Sequence, residues 1–309
     1  RKYNKEKLGI ICMEGSYHGR TMGAQMMSHN PDAKEWIGYH DPHIYHIPFP
    51  YPWRENAIEN PKEYFHQCMD KLIEKYSIDP KNNLSGFMIE TFQGWGSVFY
   101  PSDFVQEIEK FSKKYNMLVC YDEMQSGFGR TGKLFGYMHY NVEPDLLCCG
   151  KGISSGFPLG LVLGSKKVMD IPEIGSMSST NSANPISCAA GLASLKVIID
   201  DDLIKTSKVL GEIFQEKLNL LMLEYPDFIS CVLGKGLVAA IHFNNSSGLP
   251  LIEIADEVCF ECMARGLLVV RTGRETIKFG PPLCITENAM LEGLDVLSES
   301  INFVVNKIM

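Results

Sequence analysis

The stretch "CCGKGISSGFPLG", residues 148–160, sets Lys151 between Gly150 and Gly152 at the end of an apolar run. An amine leaving an apolar strand is partly desolvated, which lowers its pKa and makes it a nucleophile. Two other apolar runs end on polar groups: "MLVCYDEMQSG" on Asp122, Glu123 and Gln125, and "FMIETFQGWG" on Glu90 and Gln93. Such a lysine can form a Schiff base with an aldehyde. A carboxylate facing a pyridine nitrogen keeps that nitrogen protonated, so the ring can accept electrons. Each residue alone has a plainer explanation: Lys-Gly pairs mark turns, and a strand-end Asp or Glu often caps a helix. Arriving together among Gly127, Gly129, Gly132, Gly150, Gly152 and Gly156, they suit a cofactor site, because glycine lets backbone approach a bound group.

The elements that must position these groups alternate. "LSGFMIET", "MLVCYDE", "PDLLCCG" and "GLVLGS" read as strands, and the consecutive apolar positions of "MLVCYDE" match a parallel strand buried on both faces. Between the first two, "PSDFVQEIEKFSKKYN" puts Phe104, Val105, Ile108, Phe111 and Tyr115 on one helical face. Strands alternating with helices predict an α/β fold, a mostly parallel sheet with helices on its faces, where ligands gather beyond the strands' carboxyl ends. The long amphipathic run "DLIKTSKVLGEIFQEKLNLLMLEYP" predicts a bridge to a second, smaller α/β domain, whose last helix carries Met290, Leu294, Leu297, Ile301 and Val304 on one stripe. The expected boundaries are 1–205 and 206–309. The first strand, "LGIICMEG", reads as an interior strand preceded by only a charged stub, which predicts that sequence ahead of Arg1 completes the first domain.

Composition narrows the function classes. The 309 residues are 45% hydrophobic and carry a net charge of −8, which argues against a general nucleic-acid or anionic-membrane surface. No apolar run approaches the roughly 20 residues of a membrane span. The cysteines sit inside apolar segments, Cys259 and Cys262 in a helical pattern, so reduced packing thiols in a cytoplasmic protein are expected and no metal site is predicted. His43 and His46, in the aromatic- and proline-rich loop "HDPHIYHIPFPYPW", have no acidic or thiol partner at metal-ligand spacing. No G-x-G-x-x-G links an opening strand to a helix, which disfavours a nicotinamide-binding domain.

Two blocks, "YDEMQSGFGRTGKLFGYMHYNVEPDLLCCGKGISSGFPLG" and "STNSANPISCAAGLASL", resemble the class III aminotransferases, pyridoxal-phosphate enzymes of fold type I. The resemblance runs from "GSYHGRT" to "KFGPPLCIT". It implies pyridoxal 5'-phosphate as cofactor, Lys151 as its covalent anchor, and Asp122 as partner of the pyridinium nitrogen. Gln125 then lies near the ring's phenolic oxygen, Tyr17 stacks on the ring with His18 beside it, and Thr180 reaches the phosphate from a neighbouring subunit. A homodimer with a shared active site follows. The implied reaction moves an amino group from an amine or amino acid to a keto acid or aldehyde by a ping-pong route. Arg130, in "GFGRTG", is expected to be an internal ion-pair partner.

The chain also departs from the family pattern. Where members often show "EPVQGEGG", residues 90–97 read "ETFQGWGS"; Glu90 and Gln93 remain, and Trp95 adds an indole near the substrate. The family's carboxylate-clamping arginine is replaced by Lys278, which lacks the planar two-pronged contact, so Arg271 and Arg274 are the candidates to compensate. The family's phosphate-binding turn is not found. Three further readings keep the fold: an aminomutase, a decarboxylating relative, or a scaffold or binding subunit without the cofactor.

Overall fold

The computed structural model describes residues 5–54, 56–244, 248–273 and 275–308. The chain divides into two units. The first comprises Arg1–Gln93, Tyr100–Ser126 and Gly136–Leu195; the second comprises Gly94–Phe99, Gly127–Phe135 and Lys196–Met309. The division falls before the boundary expected at 205/206, and two short internal segments belong to the second unit. Local periodicity carries no information about such excursions, because they are defined by long-range contacts.

In the first unit, β1 (Gly9–Met13) is followed by the short helix α1 (Met22–Met27), β2 (Ile44–Ile47), α2 (Pro61–Tyr76), β3 (Leu84–Glu90), α3 (Ser102–Tyr115), β4 (Leu118–Asp122), β5 (Leu146–Cys149) and β6 (Leu161–Gly164). These strands form one sheet in the order β2-β1-β3-β4-β5-β6. Every pairing is parallel except β5 with β6, which is antiparallel. The predicted face of α3 is buried through Phe104, Val105, Ile108 and Phe111. Phe65 of α2 packs edge-on against Phe104 at 5.4 Å and Phe111 at 5.7 Å, and meets Phe87 of β3 at 6.3 Å. Each such pair is worth about 1 kcal/mol beyond its buried area. Asn116 ends α3 in the left-handed conformation, φ 52°, which asparagine adopts at lower cost than most residues. Helix α4 (Pro185–Asp200) runs across the division between the units.

The second unit contains α5 (Leu203–Glu224), β7 (Ile229–Lys235), β8 (Val238–Phe243), α6 (Leu251–Ala264), β9 (Val270–Thr272), β10 (Thr276–Phe279) and α7 (Glu287–Ile308). Its antiparallel sheet has the order β9-β10-β8-β7. Met290, Leu297, Ile301 and Val304 are buried in one core with Ile241 and Ile277, and Leu294 packs against it. Cys262 lies in that core with Cys259 against its edge, as packing thiols do. Gly211 lets α5 close on the β7–β8 turn: a Cβ there would meet the Gly236 Cα at 2.4 Å. The fold is therefore α/β, a large mostly parallel sheet unit plus a smaller α/β unit.

Candidate functional site

Register brings the strand-end groups to one edge. Glu90 of β3 stands opposite Asp122 of β4, and Asp122 opposite Cys148 of β5, which leads through Gly150 to Lys151. Gly150 leaves room for the Met124 side chain, whose sulfur would lie 2.5 Å from a Cβ there and would have to shift. Lys151 opens a 3-10 turn, Lys151–Ser154, with its backbone at φ 44°. Left-handed backbone in a residue with a side chain is strained, and such strain concentrates at functional positions. The Lys151 side chain is exposed, whereas desolvation by its own strand was expected; the turn swings it clear of the apolar β5.

Asp122 is 6% exposed. Its Oδ1 accepts from the Met124 amide at 3.0 Å, and its Oδ2 lies 2.9 Å from His18 Nδ1. An ionised carboxylate only accepts, so His18 donates from Nδ1. The His18 ring is fully buried, and its Nε2 has no hydrogen-bond partner among the described residues. The segment that carries it is held by backbone donation: the Tyr17 amide to Glu90 Oε2 at 3.1 Å, and the His18 amide to Ser28 Oγ at 2.8 Å. The Tyr17 ring is half-exposed, with the Arg20 guanidinium 5.8 Å from its centroid.

Glu123 does architectural work that its position in the sequence does not announce. Its buried carboxylate accepts from Thr91 Oγ1 (2.9 Å), Ser126 Oγ (2.6 Å), and the amides of Gly136 (2.9 Å) and Tyr137 (2.7 Å). Burial nevertheless pushes its carboxyl above the usual range. Gln93 is fixed similarly, receiving the Tyr51 hydroxyl on Oε1 and donating from Nε2 to the Glu14 carbonyl at 2.8 Å. Gln125 lies half-buried in the turn after β4, and Thr180 is exposed in a turn ahead of α4. His43 contacts Asp41, and His46 donates to the Met27 carbonyl at 2.9 Å.

The remaining candidates belong to the second unit. Lys278 on β10 donates to the Gly94 carbonyl at 2.9 Å. Trp95 packs on Gly273, where a Cβ would come within 2.7 Å of the indole, and His242 Nε2 meets the Gly96 carbonyl at 2.9 Å. The segment 94–96 is thus pinned by a lysine, a histidine and a bare backbone. Arg271 is ion-paired with Asp256 of α6. Arg274 lies outside the described residues. Arg130, expected to sit in an ion pair, instead donates to the backbone carbonyls of Leu237 and Pro281, and burial lowers its pKa. Guanidinium supplies enough donors for such backbone bracing without a carboxylate.

The donor set fits pyridoxal phosphate. A buried carboxylate, oriented by an amide and an imidazole, keeps lone pairs for a cationic ring N–H. An exposed aromatic face and an exposed primary amine come from the same unit.

Comparisons with known proteins agree. The family model described as aminotransferase class-III matches residues 1–301. An alanine/serine racemase of Pyrococcus horikoshii is 32% identical over 97% of this chain and 65% of its own length. An ornithine aminotransferase of Schizosaccharomyces pombe is 33% identical over 96% of this chain and 65% of its own length. Among solved structures, the ornithine aminotransferase of Toxoplasma gondii superposes with a TM-score of 0.84 at 26% identity, over 98% of this chain and 66% of that one. That structure is described as holding pyridoxal phosphate at partial occupancy in its active site. The chain thus spans somewhat less than two thirds of these curated relatives. With Asp122 at one strand end and Lys151 in the turn after the neighbouring strand, the family match across residues 1–301 makes this chain a member of the class-III aminotransferases, which depend on pyridoxal phosphate.

Proposed function

We propose that this chain acts as a transaminase that moves an amino group from an amine or amino acid to a keto acid or aldehyde. The observation that carries the reading is Asp122: a buried carboxylate at a sheet edge whose oxygens are aimed by Met124 and His18 and whose remaining lone pairs suit a protonated ring nitrogen. Bound pyridoxal phosphate supplies an electron-accepting ring that stabilises negative charge at the substrate's α-carbon. The chain's residues do the rest. Lys151 Nζ would anchor the cofactor covalently, give way to the incoming amine, and carry a proton from the substrate's α-carbon to the carbon that the cofactor's aldehyde supplies. Asp122 would keep the ring nitrogen protonated, with His18 holding Asp122 in place. Tyr17 offers its exposed face to the ring, its backbone fixed by Glu90. Gln125 belongs to the cofactor site by family resemblance. Lys278 and Trp95 are the candidates for substrate recognition, while Arg271 would have to leave Asp256 to take part.

A homodimer belongs to the same proposal. Phe157, Ile174, Met177, Ile186 and Leu192 are exposed on this single chain, more apolar surface than water favours, and a second copy would cover it. Thr180 of the partner subunit would then reach the cofactor's phosphate. No helix among the described residues is long and apolar enough to cross a membrane, and a cytoplasmic setting suits the free thiols.

The test is chemical. Protein incubated with pyridoxal phosphate, reduced with borohydride and digested should carry the cofactor's mass on the peptide containing Lys151. Lys151→Ala should carry none, and equal labelling of the variant would reject the assignment. Asp122→Asn should lower turnover by about a hundredfold or more, because the ring nitrogen loses its anionic partner.

A second reading is favoured by the similarity to the alanine/serine racemase. The same lysine and aspartate serve proton removal and return at one carbon without an acceptor. Chiral analysis of an amino acid incubated with the protein alone separates the two: inversion without a keto acid supports racemisation, and dependence on a keto acid supports transfer.

A further inference from the structure

The segment 16–29 delivers Tyr17 and His18 to the site, and α1 within it is only six residues long. A helix so short does not hold its own shape in water. What holds it is a set of side chains on its last carbonyls. Lys34 Nζ donates to Ser28 O at 2.8 Å and to Met26 O at 3.3 Å; His46 Nε2 and Ser16 Oγ both reach Met27 O. Ser28 in turn returns its hydroxyl to Ala24 O at 3.0 Å and accepts the His18 amide.

Lys34 is the unusual member of this set. It is 8% exposed and makes no ion pair with a carboxylate among the described residues. The groups facing it are uncharged: burial holds the Cys12 thiol protonated, and burial pushes His46 down to about 4, so that it stays neutral. The ammonium is satisfied by carbonyls at the negative end of α1. An apolar side chain of similar length would fill the space without the cost of desolvating a charge. It could not tie together the two carbonyls, Met26 and Ser28, that bracket the turn.

The His18 ring depends on that turn. Its Nε2 has no partner among the described residues, so its orientation rests on Nδ1 at Asp122 and on the placement of its backbone by Ser28. We propose that Lys34 is a positioning residue: its ammonium clamps the Met26 and Ser28 carbonyls, which aims the Ser28 hydroxyl at the His18 amide and holds the imidazole on Asp122. This rests on the reading of Asp122 and His18 as the cradle of the cofactor's ring nitrogen. Lys34 touches neither cofactor nor substrate; it acts through Ser28 and His18.

The test reads His18 directly, in the full chain without cofactor. In protein labelled with nitrogen-15 histidine, the proton on His18 Nδ1, assigned by its loss in His18→Gln, should be protected from solvent exchange. Lys34→Met and Ser28→Ala should each speed its exchange about tenfold or more, or abolish the signal, as removal of one hydrogen bond to a charged or buried group predicts. Lys34→Arg, which keeps a cationic donor, should retain it. Titrating each cofactor-free protein with pyridoxal phosphate should give about tenfold weaker binding for the first two variants and near-wild-type binding for the third. A folded Lys34→Met protein with wild-type exchange and wild-type cofactor affinity overturns the proposal. So does loss in Lys34→Arg as large as in Lys34→Met. If Lys34→Met does not fold, Ser28→Ala decides alone, and wild-type behaviour there is equally fatal. Should wild-type protein take up no pyridoxal phosphate while the exchange changes appear as described, the cofactor assignment fails and the clamp on His18 stands.

Discussion

Burial works against charge at His46. Its imidazole is held neutral, with its pKa lowered to about 4 chiefly by desolvation, while the same residue in an unfolded chain titrates near 6.5. Between those values the unfolded chain binds the extra proton and the folded chain does not, so stability rises with pH through this window and is lost on acidification. His242, also lowered by burial, adds to the same slope. Replacing His46 with Gln should flatten the pH dependence of unfolding between about pH 4 and 6.5 by about 1–2 kcal/mol. Urea titrations across that range measure it, and an unchanged slope would refute the burial argument. Residue types at strand ends made Asp122, Lys151 and Glu90 legible in the sequence, because a polar group after an apolar run is visible locally. The His18–Asp122 contact, the four donors on Glu123 and the Lys34 clamp were not, since each joins side chains far apart in the chain. A lysine in "NPDAKEWIG" offers no local sign that it is buried.

At the scale of elements, periodicity read well. The apolar faces of α3 and α7 fall where the 3.6-residue repeat puts them, and Val119 and Tyr121 of β4, a strand inside the sheet, are buried, whereas Leu118 at its start is exposed. Strand direction and unit membership read less well: nothing in "GLVLGS" reveals that β6 runs antiparallel, and nothing near residues 94–99 or 127–135 assigns them to the second unit. The contact of α5 with the β7–β8 turn makes a sharp prediction. Gly211→Ala would drive a Cβ into the backbone of Gly236, which cannot rotate away. We expect a loss of at least about 2 kcal/mol, as for other overpacked sites, although alanine favours helix. A variant as stable as wild type in chemical denaturation would show that the helix shifts without cost.

For the whole molecule, the long motif blocks were enough to identify the family, and the family match now covers residues 1–301. What the blocks could not give is substrate, because they are shared across the family while the proposed substrate-facing residues, Trp95 and Lys278, lie where this chain departs from the family pattern. The proposed dimer is testable at this scale. Leu192→Glu places a charge on apolar surface that a second copy would bury, and should shift sedimentation toward the monomer, with weaker cofactor retention if Thr180 is shared between subunits. Wild-type protein that sediments as a monomer at every concentration tested would end that part of the proposal.

The left-handed turn at Lys151 has a consequence for how folding and chemistry divide the chain between them. Position 151 bends as glycine prefers, so a sequence chosen for folding alone would put glycine there. Lys151→Gly should therefore melt later than the parent by roughly 1 kcal/mol of stability while being unable to tether any aldehyde. Lys151→Ala, bent the same way, should gain little. The difference between the two dead variants would weigh, on a calorimeter, what the fold gives up to present an amine.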